Sequence, residues 1–314
     1  MKDLWKRSWL GPLLALVLMY VLFVALTPET FARSINFVTM LRQTVVVGIA
    51  AVGMTLIIVH GGIDLSVGSA VALTTVVVAR ALQAGFGPVQ ASLIGIAVSG
   101  VAGLANGALV SGLGVTPFIV TLGTMSILRG AAKGIAGEQK IDADPRGLDE
   151  LMAIVPGGAG LVPVGVWIAL VVAIFGIVLL AYTRFGRHVV AVGSNEQTAR
   201  LCGVPVSRVK VLVYGLAGLL AGLAGVLEFS TLTVGDPTDS IGLELEVIAA
   251  VVIGGGSLSG GQGSVAGALL GALLLTVIKA GCTHLGVPNW VQEIFTGVII
   301  VVAMAVDRLR QRGQ

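Results

Sequence analysis

The chain has 314 residues, is 56% hydrophobic and only 11% charged, and has a mean hydropathy of +1.00. A soluble domain carries about a quarter of its residues as charged side chains, so a water-facing surface is excluded and a lipid bilayer is the solvent these residues require. The net charge of +3, with basic residues gathered at segment ends, excludes a nucleic-acid surface.

The hydropathy pattern predicts an all-α, polytopic membrane protein, a single transmembrane domain over 1–314. Ten helical segments are expected near 10–26, 44–60, 66–80, 89–111, 117–132, 162–182, 211–229, 243–254, 264–280 and 290–306. The first, after the basic start "MKDLWKR", reads as an uncleaved span; a cleaved leader is the alternative, but no small-x-small site follows it.

The second segment ends in "HGGIDLSVGSA", which carries Asp64 into an apolar stretch. Intramembrane acids are costly and usually functional. The competing reading is that Asp64 caps the next helix with Ser66 nearby, and it can do both. The segment at 66–80 is short for a crossing, which takes about 20 residues. From 81 to 128 there are 48 residues without Asp, Glu, Lys or Arg, enough for two spans and a turn near Gly112–Pro117. Arg80 and Arg129 are expected at helix ends, where they can snorkel.

After the acidic loop "GEQKIDADPRGLDE" and the span at 162–182 comes the long polar segment Thr183–Lys210. Ser194 or Asn195 can cap a short helix through Leu201, with Glu196 in its first turn and Gly203 and Pro205 ending it. A solvated basic loop is the bland reading; a docking helix for a cytoplasmic partner, presenting Ser194, Asn195, Glu196, Ala199, Arg200 and Gly203, is the one adopted. Further on, Glu228, Glu244, Glu246 and Lys279 are expected near outer helix ends, within reach of water.

The short segment 243–254 runs into "GGGSLSGGQGS", Gly254–Ser264, whose "LSGGQ" matches the nucleotide signature of transporter ATPases. An ATPase needs a phosphate loop, G-x-x-x-x-G-K-[ST], and this chain has none. The stretch has instead an internal cousin. "GGIDLSVGSAVAL" lies beside "GGGSLSGGQGSVAGAL", and "IAAV" precedes both, at Ile49–Val52 and Ile248–Val251. Both copies are preceded by a helix of the same expected direction, which points to a duplication. Paired broken helices are a transporter feature, with the pathway at the repeat interface. The candidate pathway residues are therefore Gly61, Gly62, Asp64, Ser66 and Gly68, with Gly255, Gly256, Ser257, Ser259, Gly260 and Gly261.

Ten crossings put both termini on one side. Lys2, Lys6, Arg7, Arg184, Arg187, Arg200, Arg208, Lys210, Arg308, Arg310 and Arg312 fall there, 11 of 19 basic residues, against Asp3, Glu196 and Asp307. By the positive-inside rule that side is cytoplasmic. Catalytic chemistry is not indicated: His60, His188 and His284 are scattered without metal spacing, Cys202 and Cys282 form no framework, and no Ser-His-Asp set assembles. With Asp64 the one strong intramembrane acid, ion-coupled transport is less expected than a pore moved by a separate motor.

"AVGMTLIIVHGGIDLSVGS", "NGALVSGLGVTPFIVTLGTMSILRG", "TRFGRHVVAVGSNEQTARLCGV" and "IAAVVIGGGSLSGGQGSVAGALLGA", in this order, resemble the permease subunits of bacterial ABC importers for monosaccharides of the ribose/galactose/arabinose type. The resemblance runs from about Phe37 to Asp307. It implies a homodimeric or heterodimeric inner-membrane permease, a partner subunit that binds ATP in two nucleotide-binding halves, and a periplasmic substrate-binding protein. No cofactor is implied in the chain itself. It implies docking of Ser194–Gly203 into the ATPase and a pathway near both glycine-rich breaks, with Asn106, Pro117, Phe118 and Thr121 lining it or packing helices. His60, Gly256, Ser259 and Gln262 depart from the family pattern. Nucleosides, a sugar-derived signal and branched-chain amino acids are alternative cargoes; a stand-alone carrier and a non-transporting scaffold are the other readings.

Overall fold

A computed structural model describes residues 10–154 and 162–312. Lys2, Asp3, Lys6 and Arg7 lie outside the described residues, as do the side chains of Asp307, Arg308, Arg310 and Arg312. Within them the main helices are α1 (Leu10–Leu26), α2 (Pro28–Phe31), α3 (Ser34–Val59), α4 (Val67–Gln83), α5 (Pro88–Leu113), α6 (Pro117–Ala136), α7 (Val164–Tyr182), α8 (Arg184–Ser194), α9 (Glu196–Leu201), α10 (Val206–Leu232), α11 (Leu243–Ile253), α12 (Val265–His284) and α13 (Asn289–Arg312). Each of the ten expected segments is present. By length and composition α3, α5, α6, α7, α10 and α12 can each cross a bilayer. The two segments expected to be short are α4, with 17 residues, and α11, with 11.

Local chemistry sets the boundaries. Pro88 and Pro117 stand in the first turns of α5 and α6, where a missing N–H costs nothing. α3 begins ten residues before its expected start at 44. Arg42 and Gln43 precede the apolar run that begins at 44, yet they lie inside the helix, and Gln43 borders a cleft. Arg129 is also displaced from expectation. It sits within α6 and donates from Nη1 to the carbonyls of Pro237, at 2.9 Å, and Asp239, at 2.6 Å, so it is a clamp rather than a snorkelling end residue.

α5 and α10 form the closest pair. A Cβ added at Gly103 would lie 2.3 Å from the Tyr214 carbonyl oxygen and 2.9 Å from Gly218 Cα. These backbones touch, which is what small residues permit between membrane helices. α3 crosses α10 at Gly53 and Ala217 and runs antiparallel to α12, with Thr44 donating to Thr276 at 3.0 Å. Phe23 of α1 packs on Gly281 of α12.

The bundle has two distinct ends. One carries α8 and α9 against the C-terminus of α3. The other carries β1 (Ile141–Asp142) paired antiparallel with β2 (Val234–Gly235). That end is cross-tied: Lys140 pairs with Asp236 at 2.9 Å, Arg80 donates to the Ile135 carbonyl, and Gln83 donates to the Asp142 carbonyl at 2.8 Å. α1 arrives at this end and α13 leaves from it.

Candidate functional site

The two glycine-rich breaks share one backbone design. At the end of α3, Gly61 takes φ +91° and its N–H reaches the Ile58 carbonyl, while Gly62 N–H reaches Ile57. At the end of α11, Gly255 takes φ +89° and reaches Val252, while Gly256 reaches Val251. Each is a left-handed C-terminal cap, a conformation open to glycine and strained for a residue with a Cβ. The likeness between Gly61–Leu73 and Gly254–Leu269 therefore has a structural counterpart. The repeated "IAAV" does not share it: Val52 stands nine residues before Gly61, Val251 four before Gly255. Those letters recur at different helical positions.

The breaks meet each other and the end of α8. Gly261 donates its N–H to the Val59 carbonyl at 2.8 Å. A Cβ on Gly193 would sit 1.8 Å from that same oxygen, and one on Gly260 would sit 2.6 Å from the Gly193 carbonyl and 3.0 Å from Gly61 Cα. Three backbones thus lie in direct contact, with no side chain between them. The "LSGGQ" letters belong to this junction: Gly260 and Gly261 take φ of +86° and +75° against Gly193 and Ser194. Ser257 and Ser259 shape the same turn, with Ser257 N–H donating to the Gln262 carbonyl and Ser259 N–H to Ser257 Oγ.

After the α3 break the chain turns through a buried polar cluster. Asp64 Oδ1 accepts from both the N–H of Ser66, at 2.7 Å, and its hydroxyl, at 2.6 Å. This is an Asx-type turn ahead of α4, not a cap on the helix's first turn as expected, because the acceptor bonds two residues on and ends there. Asn106 Nδ2 donates to Ser66 Oγ at 2.9 Å, and its Oδ1 has no partner among the described residues. Thr121 ties α6 to the same loop, accepting from Leu65 N–H and donating to the Ile63 carbonyl, each at 3.1 Å. Asn106 and Thr121 are thereby brought to the break. Pro117 starts α6, and Phe118 is 48% exposed.

Sequence reasoning missed Tyr214, which is fully buried, meets the His60 ring edge to face at 5.6 Å and lies within 2.6 Å of a Cβ at Gly62. A lone tyrosine in a glycine-rich helix carries no spacing signal. Glu244 is also not at a free outer end: its carboxylate reaches Gly68 in the first turn of α4, where the N–H ends of a helix favour negative charge.

The short helix on the basic segment forms as expected. Asn195 Oδ1 caps α9 by accepting from Thr198 N–H at 2.9 Å, and Gly203, φ +82°, ends it. Ser194 is the last residue of α8. Glu196 is braced by Lys210 at 2.8 Å and Arg200 at 3.1 Å; the Lys210 hydrogen bond holds its carboxyl below the ordinary value of 4.5. Ala199 is buried beneath the helix, while Leu201 beside it is 89% exposed. An apolar side chain this bare on a polar segment has no partner within the described chain. In the sequence Leu201 marks only the end of the short helix.

Packed spans, paired helix breaks and a polar segment seated on those breaks define a polytopic membrane permease. The chain belongs to the family described as the permease component of branched-chain amino acid transport systems, whose model matches residues 36–304. It is 38% identical over 309 residues to the ribose import permease of Escherichia coli strain K12, covering 97% of this chain and 96% of that one. It is 35% identical over 291 residues to the L-arabinose ABC transporter permease of Azospirillum brasilense, covering 92% and 84%. It is 36% identical over 312 residues to the autoinducer 2 import permease of Klebsiella pneumoniae, covering 99% and 90%. The expected resemblance to sugar-importer permeases is met, and these relatives are transport proteins rather than enzymes. No solved structure matches the chain.

Proposed function

We propose that this chain is the membrane-embedded permease of an ATP-driven importer for a monosaccharide, a pentose such as ribose or a hexose. The observation that carries the mechanism is the three-way backbone contact at Gly193, Val59 and Gly260–Gly261. It seats the α8–α9 segment on the ends of α3 and α11 together. A displacement of α8 has no compressible side chain to absorb it, so it passes to both breaks as a rigid shift.

In this reading the α8–α9 end faces the cytoplasm, with both chain termini on that side of the inner membrane. A partner ATPase with two nucleotide-binding halves grips α9 through its capped end, Arg200 and the bare Leu201. ATP is bound there and not by this chain. Binding and hydrolysis move α8, which opens or closes the junction of the two breaks and alternates access. A second permease copy completes the pathway, and a periplasmic binding protein delivers cargo at the β1–β2 end. Few aromatic side chains are available to grip a sugar, so selectivity rests with the binding protein.

The test is reconstitution of the chain with a double ATPase and a binding protein in proteoliposomes. ATP-dependent uptake of radiolabelled ribose, arabinose or galactose supports the proposal. Uptake without ATPase would assign a stand-alone carrier, and no uptake of any of the three would overturn the sugar reading. The relative named for autoinducer 2 import makes autoinducer 2 the second cargo to try.

A further inference from the structure

We propose that a polar cleft at the end of the bundle away from α8 and α9 is a hydroxyl-binding way station for the transported polyol. This rests on the importer reading above and adds the site that cargo occupies before the breaks open. The cleft lies between α3, α11, α12 and α13 and has a volume of about 480 Å³. Small-molecule sites commonly enclose about 300–1,000 Å³, so a monosaccharide fits with its water.

Two polar stripes face each other across it. On α3, Asn36, Thr39 and Gln43 recur at spacings that share one helical face; on α12, Thr276, Lys279 and Thr283 do the same. The stripes touch at the mouth, where the His284 ring lies 3.1 Å from Asn36 Oδ1, and in the depth, where Thr44 donates to Thr276. Lys279 bridges to Glu246 of α11, which leaves further N–H donors on the lysine and a free oxygen on the glutamate. A second pocket of about 200 Å³ continues the space and shares Gln43, Val47 and Glu246, adding Glu228.

Gln43 is the decisive side chain. It lies ten residues into a 26-residue apolar helix, is exposed, and makes no hydrogen bond within the described chain. Lipid around an unpaired amide would cost several kcal/mol. Water, or a solute that can both donate to and accept from it, meets that need. A polyol does both. Val47, Ala272 and Leu275 give the floor an apolar patch for a C–H face. Beyond the floor, Ala50, Ala51, Met54 and Ala268 are buried. From Val47 the breaks at Val59 lie about 18 Å further along α3, at 1.5 Å per residue. The cleft is open at one end of α3 and the junction is shut at the other, the arrangement that an alternating-access transporter holds before the inner side opens.

The test uses the full assembly in proteoliposomes with radiolabelled ribose, arabinose and galactose as probes. Gln43→Leu, which alters an exposed side chain, and the near-isosteric Thr276→Val are each measured, then combined. The expected result for the pair is a roughly tenfold fall in uptake, the size of two lost hydrogen bonds. ATPase stimulation by loaded binding protein stays at the wild-type value. The thermal midpoint stays there in Gln43→Leu and falls in the pair no further than in Thr276→Val alone, which loses the Thr44 tie, and Gln43→Asn recovers part of the uptake. Unchanged uptake in the pair would overturn the site, as would a loss of uptake that merely tracks a fall in the thermal midpoint. Failure of the wild-type assembly to move any of the three sugars would instead overturn the importer reading on which the site rests.

Discussion

Replacing Gly193 by alanine adds one methyl group at the junction of α8 with both breaks. Its Cβ would lie 1.8 Å from the Val59 carbonyl oxygen and 2.7 Å from Gly261 N. Carbon and oxygen approach to about 3.3 Å, so the backbones must part by about 1.5 Å. That separation breaks the Gly261–Val59 hydrogen bond, about 1–3 kcal/mol for a buried pair left unmade. Overpacking adds about 1–3 kcal/mol. At 1.4 kcal/mol per decade, the junction shifts by at least tenfold toward its open state. We expect ATP-driven uptake in proteoliposomes to fall at least tenfold, while the ATPase still assembles and hydrolyses ATP. Gly112→Ala is the control: its Cβ meets nothing within 4 Å, and uptake should stay within about twofold. Wild-type uptake and wild-type ATPase stimulation in Gly193→Ala would refute the idea that the breaks are driven by backbone contact with α8.

Other outcomes follow from the same geometry. Glu196→Lys or Gly203→Arg should leave ATP hydrolysis running without uptake, and Leu201→Asp should weaken co-purification of the ATPase; normal uptake in all three would remove α9 from the interface. Gly103→Val should lower the thermal unfolding midpoint, because two backbones must separate at a cost of about 1–3 kcal/mol, and an unchanged midpoint would contradict the α5–α10 packing. The Glu196 brace has a carboxyl held below its ordinary value. Its contribution is complete above that ordinary value and disappears as pH falls through the lowered one. The protection factor at Glu196–Leu201, the intrinsic exchange rate at each pH divided by the observed rate, should fall on acidification, and Glu196→Gln should abolish that dependence. Isolated permease should bind ribose negligibly by calorimetry; micromolar affinity would contradict a weak way station.

Much of the fold is legible in the sequence because spans are long apolar runs and their ends are marked by proline and glycine. The start of α3 is not, since Arg42 and Gln43 interrupt the apolar run, and only the cleft beside Gln43 gives a polar residue a place inside the helix. The α9 helix is legible from Asn195 and Gly203, whose cap chemistry is local. The meeting of Gly193 with Gly261 is not, because it joins residues far apart in the chain through backbone atoms that have no residue signature. The same holds for Gln43 and Thr276: each is a single polar letter in an apolar segment, and only their opposition across a shared space gives them meaning. Asp64 shows the reverse case, a conspicuous letter whose visible work is to fold its own turn with Ser66.

The cross-ties around β1 and β2 also decide how the bundle can move. Lys140 to Asp236, Arg129 to the carbonyls at 237 and 239, Arg80 to Ile135 and Arg146 to Phe86 lash α4, α5, α6 and α10 at the β1–β2 end into one block. No comparable lashing joins that block to α1, α12 and α13 among the described residues. On the importer reading, α12 and α13 are then the cleft walls expected to move relative to that block. Spin labels at 141 and 235 should keep a constant separation through the ATP cycle, while labels at 39 and 283 breathe.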